Sequence, residues 1–289
     1  MLRYAVLLSC LPRPQAGLTT RLLERPRTRR RSHVTLSHDI ATTNAFPTAF
    51  ELPVEDGLCL ALSLPSGEGV ALPLEELHDL ERSRLDHMKP ARQISFAGGR
   101  VAIRRALTTL CDEGIVGCPV LPDEVGAPVL PEGVLGSISH TRGLVAAVVC
   151  VPPEGLAYLS GSGNGPAPAQ CAVGVDVEGV GRALSPRAAL RCLHEDERLT
   201  LDAAPSGLAS GEELLLRVSV KEALYKAIHP LVRQTIRWHS VQVLPAADGS
   251  CAVRAADLEE QVGTSLQVEA SWRVRDGFFV TTARASISS

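Results

Sequence analysis

The stretch from Ala172 to Arg182 combines two acidic side chains with strict alternation of apolar and other residues. This alternation predicts a β-strand in which the valines at 173, 175 and 177 share one face, while Asp176 and Glu178 share the other with a glycine. At about 3.3 Å per residue the two carboxylates lie roughly 6–7 Å apart. Unpaired, they would repel each other and resist ionising, and a hard cation such as Mg²⁺ between them would remove that repulsion. An edge strand with a solvated acidic face has the same pattern, so both interpretations stay open.

A helix with further charged groups is predicted from Glu212 to His229, where apolar residues recur at helical spacing. Glu222 and Lys226 are four positions apart and therefore share one face of that helix. The adjacent Lys221 points about 100° away from Glu222. An ordinary surface ion pair has the same spacing and is worth only about 0.3–0.5 kcal/mol. We expect Pro230 to end this helix.

Two apolar runs on either side of residues 140–143 are predicted to be strands joined by a tight turn. Ser137, Ser139 and His140 form a polar cluster between them, together with Arg142. A lone histidine at a strand end is more often structural than catalytic, so the cluster alone does not define a site.

A locally basic segment precedes and accompanies a helix predicted around Ser95 to Cys111. Such a run is usually a solvated face, but beside an anionic ligand it would form a phosphate clamp. Its cationic residues are Lys89, Arg92, Arg100, Arg104 and Arg105.

The composition limits the classes of function. A net charge of −3 over 289 residues and a pI near 6.3 give no overall basic field, which argues against nucleic acid as a partner. The longest apolar run, Leu144 to Val151, has the length of a buried strand, so we expect no membrane partner. The eight cysteines are scattered without metal-ligand or disulfide spacing, which favours a reducing cytoplasmic setting.

Changes of composition divide the chain into four parts. Residues 1–45 are rich in arginine and poor in acids, as expected for a disordered basic extension, an organelle transit peptide or a start codon placed too far upstream. Residues 46–155 form a first subdomain with short strands to Leu72 and a helix opening at Pro73. Residues 156–171 are a Gly/Pro/Ala-rich flexible linker, and 172–289 form a second subdomain. In that subdomain we expect helices from Ser185 and His194 and antiparallel strands after Trp238.

Four motifs in this order resemble the surfactin-type 4′-phosphopantetheinyl transferases, and more closely the branch of the enterobactin synthetase component. The resemblance covers roughly Leu74 to Val243, and its strength lies in the order of the motifs, since any one of them is weak. The motifs are Phe96–Leu107, Gly126–His140, Gly174–Glu178 and Ser219–Ala227.

The resemblance implies an α+β fold of two pseudo-twofold-related subdomains, each with a small antiparallel sheet packed on a long helix. The active site of such a protein lies in the cleft between the subdomains, where coenzyme A binds. The implied reaction transfers 4′-phosphopantetheine from coenzyme A to a serine of an apo acyl or peptidyl carrier protein. Its second product is adenosine 3′,5′-bisphosphate, and both halves of the cleft within one chain imply a monomer.

The resemblance also implies roles for particular residues. Mg²⁺, or Mn²⁺, would be held by Asp176, Glu178 and Glu222. Glu222 would also act as general base, and Lys226 would place a cation on the departing phosphate. The catalytic residues implied are therefore Asp176, Glu222 and Lys226. The residues implied in binding coenzyme A are Lys89, Arg92, Arg100, Gly126, Pro128, Ser139 and His140, together with Asp176 and Lys226.

The chain departs from the family pattern at Val218, where the family often has an aromatic residue, and this is a change of packing rather than of chemistry. Two other functions use the same residues. One is a metal-dependent phosphohydrolase acting on coenzyme A-like pyrophosphates, and the other is a coenzyme A-binding module without catalysis.

Overall fold

The computed structural model describes residues 45–66, 70–111, 113–153, 155 and 171–288, which belong to one compact unit. They form two main antiparallel sheets, each packed on a long helix, and this confirms the α+β class. Apart from Ala45 and Cys171, the predicted basic extension and flexible linker lie outside the described residues. No helix in the described ranges has both the length and the apolar character needed to cross a membrane.

The first half contains a four-stranded sheet with the order β1–β2–β6–β5 and a small separate hairpin, β3–β4. The long helix α2 packs against β2 and β6 and buries its apolar face there. The elements of this half are β1 (Thr48–Val54), β2 (Gly57–Ser63), α1 (Asp79–Leu85), α2 (Pro90–Leu110), α3 (Glu113–Val116), β3 (Leu121–Pro122), β4 (Pro128–Val129), β5 (Leu135–Thr141) and β6 (Leu144–Cys150).

The second half contains a five-stranded sheet with the order β7–β11–β10–β9–β8. The long helix α6 packs on β7 and β11. The elements are β7 (Cys171–Gly179), α4 (Pro186–Cys192), α5 (Glu195–Leu199), α6 (Ser210–Val232), β8 (Gln242–Pro245), β9 (Ser250–Arg254), α7 (Ala256–Val262), β10 (Leu266–Arg275) and β11 (Phe278–Ile287).

The halves repeat one connectivity. In each, one strand, β2 or β7, precedes the long helix and a later hairpin, and the last strand of that hairpin inserts next to β2 or β7. Thus β6 lies between β2 and β5, and β11 lies between β7 and β10. This repeat is the arrangement that two related subdomains require.

A short helix capped by a histidine fixes the long helix of the first half. His78 Nδ1 accepts from the backbone of the first turn of α1, and the His78 N–H donates to Glu81 Oε2 at 3.0 Å, which completes a capping box. The Glu81 carboxylate, fully buried, also accepts both terminal nitrogens of Arg104 on α2 at 2.7 and 2.8 Å. The Val120 N–H donates to it at 2.7 Å, so one buried carboxylate joins α1, α2 and the start of β3.

The second half repeats this device. His194 caps α5, and its N–H donates to Glu197 Oε2 at 2.6 Å. Lys221 Nζ on α6 donates to the same oxygen at 2.6 Å, and the Val243 N–H on β8 donates to Glu197 Oε1 at 3.0 Å. Lys221 therefore anchors the long helix, which agrees with its predicted direction away from Glu222.

The two halves meet through an apolar layer. The valines at 173, 175 and 177 are buried there against β2 and β6, so the predicted apolar face of β7 is confirmed. The Val175 N–H also donates to Ser137 Oγ of β5 at 3.3 Å. At the other end of β7, Arg284 of β11 donates to Glu55 and Asp56 beside β2 at 3.1 and 3.0 Å.

Three local predictions were wrong. The helix expected from Pro73 is a 3-10 turn over Leu74–Glu76, and His78 starts a separate helix. Pro230 lies inside α6, two residues before its last residue, and Arg233, with φ 52°, ends the helix. Helix α7 was not predicted in the C-terminal strands.

Candidate active site

The acidic face of β7 lies directly against α6. At Gly174 the approach is so close that a Cβ atom would lie 1.9 Å from the Ala223 carbonyl oxygen. Only a residue without a side chain fits between strand and helix at this point. The contact brings the face that carries Asp176 and Glu178 under the helix that carries Glu222 and Lys226.

Asp176 is buried and accepts hydrogen bonds from side chains of both halves. Its Oδ1 accepts from Ser139 Oγ of β5 at 2.7 Å and from Lys226 Nζ at 2.9 Å, and its Oδ2 accepts from Ser219 Oγ at 2.8 Å. The residue is only 6% exposed. The alternative of an edge strand with a solvated acidic face is therefore wrong for Asp176.

Glu178 is also buried and has a different cation. Its Oε2 accepts from Arg182, which follows β7 by one turn. Burial raises the pKa of Glu178, as does the charge of Asp176, while Arg182 opposes both. The two acids of the strand are thus neutralised by separate side chains, Asp176 by Lys226 and Glu178 by Arg182.

Glu222 experiences the charges of both strand carboxylates. Its pKa is raised to about 7, first because the side chain is removed from water and then because Asp176 and Glu178 are negative; Lys226 lowers it in part. Lys226 Nζ bridges to the Val175 carbonyl at 2.9 Å as well as to Asp176. Three carboxylates and one ammonium therefore share one small region.

The donor set suits a hard divalent cation, because carboxylate oxygens are the ligands such an ion prefers and the negative charges of Asp176 and Glu178 add to burial in raising the pKa of Glu222. In the part of the chain that the structure describes, no three acidic, histidine or cysteine side chains already surround a common point. Instead, Lys226 forms an ion pair with Asp176, and Arg182 forms one with Glu178. The metal set of Asp176, Glu178 and Glu222 remains a prediction.

His140 and Arg92 join the first half to this region. Arg92 Nη1 lies 3.0 Å from His140 Nε2 and 3.4 Å from Ser95 Oγ. The pKa of His140 is lowered to about 4, first because its surroundings displace water from the ring although the residue stays exposed on one side, and then because Arg92 and Lys226 are positive. A neutral imidazole accepts the hydrogen bond from Arg92.

Two other predicted ligands of coenzyme A lie on α2 in different surroundings. Lys89 is exposed at the N-cap of the helix. Arg100 is 3% exposed, its Nε donates to the Val120 carbonyl at 3.1 Å, and its guanidinium lies 3.8 Å from the centre of the Phe96 ring. Burial lowers the pKa of Arg100 to about 10. Lys89 thus faces solvent and Arg100 the interior.

The predicted turn at Gly126 and Pro128 belongs to the β3–β4 hairpin. Gly126 has φ 91°, and Asp123 Oδ1 accepts the N–H groups of residues 125 and 127 at 3.0 and 2.8 Å. Pro128 begins β4. Asp123 Oδ2 lies 3.9 Å from Arg233 Nη1, so the hairpin approaches the C-terminal end of α6.

Sequence reasoning gave no role to three residues of the site: Ser219, Arg182 and Thr281. Ser219 lies three positions before Glu222 on the same helix face, and this spacing is a usable signal. Thr281, fully buried, lies opposite Asp176 and donates to the Ser219 carbonyl at 3.0 Å. No local pattern points to it, because it reaches the site only through the pairing of β7 and β11.

Two family models match the chain in the order of its halves. The model described as the N-terminal domain of 4′-phosphopantetheinyl transferase matches residues 80–150. The model described as the 4′-phosphopantetheinyl transferase superfamily matches residues 172–283. The chain therefore belongs to the 4′-phosphopantetheinyl transferase superfamily, as its motifs predicted.

Individual proteins give shorter matches. The 4′-phosphopantetheinyl transferase Svp of Streptomyces mobaraensis is 34% identical over 97 residues, which are 33% of this chain and 38% of that protein. The holo-[acyl-carrier-protein] synthase of Neisseria meningitidis is 21% identical, covering 39% of this chain and 96% of its own, with a TM-score of 0.33. The Chronobacterium ammoniagenes ACPS–CoA complex is 20% identical, with coverages of 41% and 98% and a TM-score of 0.32.

Proposed function

We propose that this protein transfers 4′-phosphopantetheine from coenzyme A to a serine of an apo acyl or peptidyl carrier protein. The products are the holo carrier protein and adenosine 3′,5′-bisphosphate. The observation that carries the proposal is the convergence of Asp176, Glu178, Glu222 and Lys226 where α6 crosses β7, in a chain of this superfamily.

The reaction forms one phosphorus–oxygen bond and breaks another. The carrier serine oxygen attacks the phosphorus that bears the pantetheine arm, and the bond to the bridging oxygen of the pyrophosphate breaks. Glu222 accepts the serine proton, directly or through a water. A pKa near 7 suits a general base at neutral pH, because the group is then basic enough to take the proton and is still ionised in about half of the molecules.

Lys226 offsets the negative charge that develops on the departing bisphosphate. Its ammonium is held by the Val175 carbonyl and by Asp176, so it is oriented before substrate arrives. His140 with Ser139 bind phosphate oxygens of coenzyme A, and Arg92 lies 3.0 Å from His140 and adds a cation. For the 3′-phosphate the candidates are Lys89, Arg92 and Arg100, and the backbone at Gly126 and Pro128 approaches the adenine.

Asp176, Glu178 and Glu222 are the residues that would hold Mg²⁺, or Mn²⁺, since an oxygen ligand set accepts both ions. When bound, the ion supplies charge neutralisation on the pyrophosphate. Ser139 and Ser219 fix the orientation of Asp176 through its two oxygens, so the chain itself determines which lone pairs face the cleft.

Intact-mass analysis of an apo carrier protein incubated with this protein, coenzyme A and Mg²⁺ tests the proposal, with an EDTA control. We expect the carrier to gain the mass of phosphopantetheine and to lose that gain with EDTA. Release of adenosine bisphosphate without any gain on several carriers would instead favour the phosphohydrolase. Binding of coenzyme A with neither event would leave the non-catalytic module.

The proposal extends to the setting of the protein. We predict a monomer in the cytoplasm that serves carrier domains of fatty-acid, polyketide or peptide synthases. Sedimentation of the full chain at micromolar concentration tests the monomer, and the panel of carriers in the mass experiment tests the class of synthase.

A further inference from the structure

The turn after β7 places the side chain of Arg182 against Glu178, four residues earlier. Gly181 adopts φ 81°, and the Arg182 N–H donates to the Gly179 carbonyl at 3.2 Å. The Val180 N–H is held by the Gly277 carbonyl at 2.8 Å, so the turn is fixed to the β10–β11 connection. The side chain of Arg182 thereby comes back onto Glu178.

Arg182 and Lys226 neutralise their acids in different ways. The Lys226 side chain is 25% exposed and is held by two acceptors, Asp176 and the Val175 carbonyl. The Arg182 side chain is 38% exposed and is paired with a Glu178 side chain that is only 10% exposed. A guanidinium at that exposure can turn into water at little cost, whereas the glutamate stays buried and needs a cation.

The geometry points to Arg182 as the exchangeable counter-ion of Glu178, which a divalent cation must displace in order to bind. This inference rests on the proposed metal set. In this arrangement Arg182 pairs with Glu178 and keeps its carboxylate in place while the cleft is empty, and it lowers the affinity of the site for the metal alone. Arg182 is a positioning residue, because it acts through Glu178.

Displacement of Arg182 by the metal also predicts in which direction the metal affinity changes when the arginine is removed. Once Glu178 binds the ion, the guanidinium is released beside the cleft, where an anion on the ion would attract it. Loss of the arginine therefore strengthens binding of the bare metal and gives no such gain when an anionic co-substrate is present.

The test is titration of the full-length protein with Mn²⁺, followed by the electron paramagnetic resonance signal of the free ion. We expect Arg182→Gln to lower the Kd for Mn²⁺ about three- to tenfold, because the metal no longer competes with an ion pair. Arg182→Lys keeps the charge without the planar fork and should give a smaller change in the same direction. Arg187→Gln, an exposed arginine on α4, is the matched control and should leave the Kd within about twofold.

A double-mutant cycle separates pairing from the general field. In a Glu178→Gln background, Arg182→Gln should have no further effect on Mn²⁺ binding. An unchanged or raised Kd in Arg182→Gln would overturn the inference while leaving the metal site intact. A wild-type protein that binds no Mn²⁺ would overturn the proposed metal set itself, and the inference with it. Thermal unfolding of each variant shows that the fold is retained.

Discussion

Leu60 and Leu62 hold the positions in the first half that Asp176 and Glu178 hold in the second. Asp176 lies opposite Thr281, the fourth residue of β11, and Leu60 lies opposite the fourth residue of β6. Glu178 and Leu62 lie opposite the second residue of each strand in the same way. Equivalent strand positions therefore place two leucines against α2 in the first half and two carboxylates against α6 in the second.

The long helices α2 and α6 also differ in having an apolar residue in the first half where the second half has a polar one. Arg104 and Lys221 occupy equivalent anchor positions, and two residues before each lies a buried small residue, Ala102 on α2 and Ser219 on α6. The alanine packs in an apolar core, whereas the serine donates to Asp176. The comparison teaches that the second half exchanges apolar packing for a charged cluster while keeping the anchors that hold its helix.

The largest effect is expected from removing Glu222, the proposed general base. Glu222→Gln should reduce phosphopantetheine transfer at least a hundredfold, because it removes the proposed base and one of the proposed metal ligands. The rate of carrier modification by intact mass checks this, with Glu260→Gln, exposed on α7, as control. Full activity in Glu222→Gln would refute the assignment.

The same variant should be more stable than the wild type when no metal is present. Since the pKa of Glu222 is about 7 in the fold and near 4.5 in the unfolded chain, the folded state binds more protons between these values and loses stability as the pH rises. Glu222→Gln should therefore gain on the order of 3 kcal/mol at pH 8 and very little at pH 4.5. Urea unfolding in EDTA at both pH values measures it.

Converting β7 towards β2 one residue at a time sharpens the contrast. Asp176→Leu should lower the free energy of unfolding by about 3–5 kcal/mol, because it leaves Lys226 and two buried hydroxyls without their acceptor. Glu178→Leu should change it by less than about 1 kcal/mol, because Arg182 is exposed enough to be hydrated. Equal losses in the two variants would contradict this difference between their counter-ions.

The shared frame itself can be tested with a matched pair of substitutions. Glu81→Gln and Glu197→Gln each leave a buried cation partly unpaired, Arg104 in one half and Lys221 in the other. We expect each to cost about 2–3 kcal/mol in chemical unfolding, with the two costs within about 1 kcal/mol of each other. A cost confined to one half would show that the two anchors are not equivalent.

The smallest effect concerns His140, a first-half residue that faces charges of the second. Its folded pKa of about 4 lies below the ordinary value of 6.5, so the unfolded chain binds the proton first and stability falls as the pH drops from about 6.5 to 4. His140→Asn should flatten this dependence in urea titrations. His87→Asn, exposed after α1, should leave the slope as it is in the wild type.

Much of this arrangement is predictable from local pattern. Alternation alone gives the two faces of β7, and helical spacing gives the shared face of Glu222 and Lys226. The capping boxes at His78 and His194 are also local, but a repeat of Leu-His-x-x-Glu-Arg is too short to be recognised before its contacts are known. The burial of Asp176 could not be predicted, because it depends on β5 and α6 closing over the strand from distant parts of the sequence.

The closest approach in the site involves a residue without chemistry of its own. The Ala223 carbonyl lies where the Cβ atom of a side chain at position 174 would be. Gly174 therefore lets the backbones of strand and helix come into direct contact. The distance from the strand carboxylates to Glu222 and Lys226 on α6 is therefore limited by this backbone contact as well as by the side chains themselves. A side chain at position 174 would therefore push α6 away from β7 and increase all the distances from Asp176 and Glu178 to Glu222 and Lys226 together.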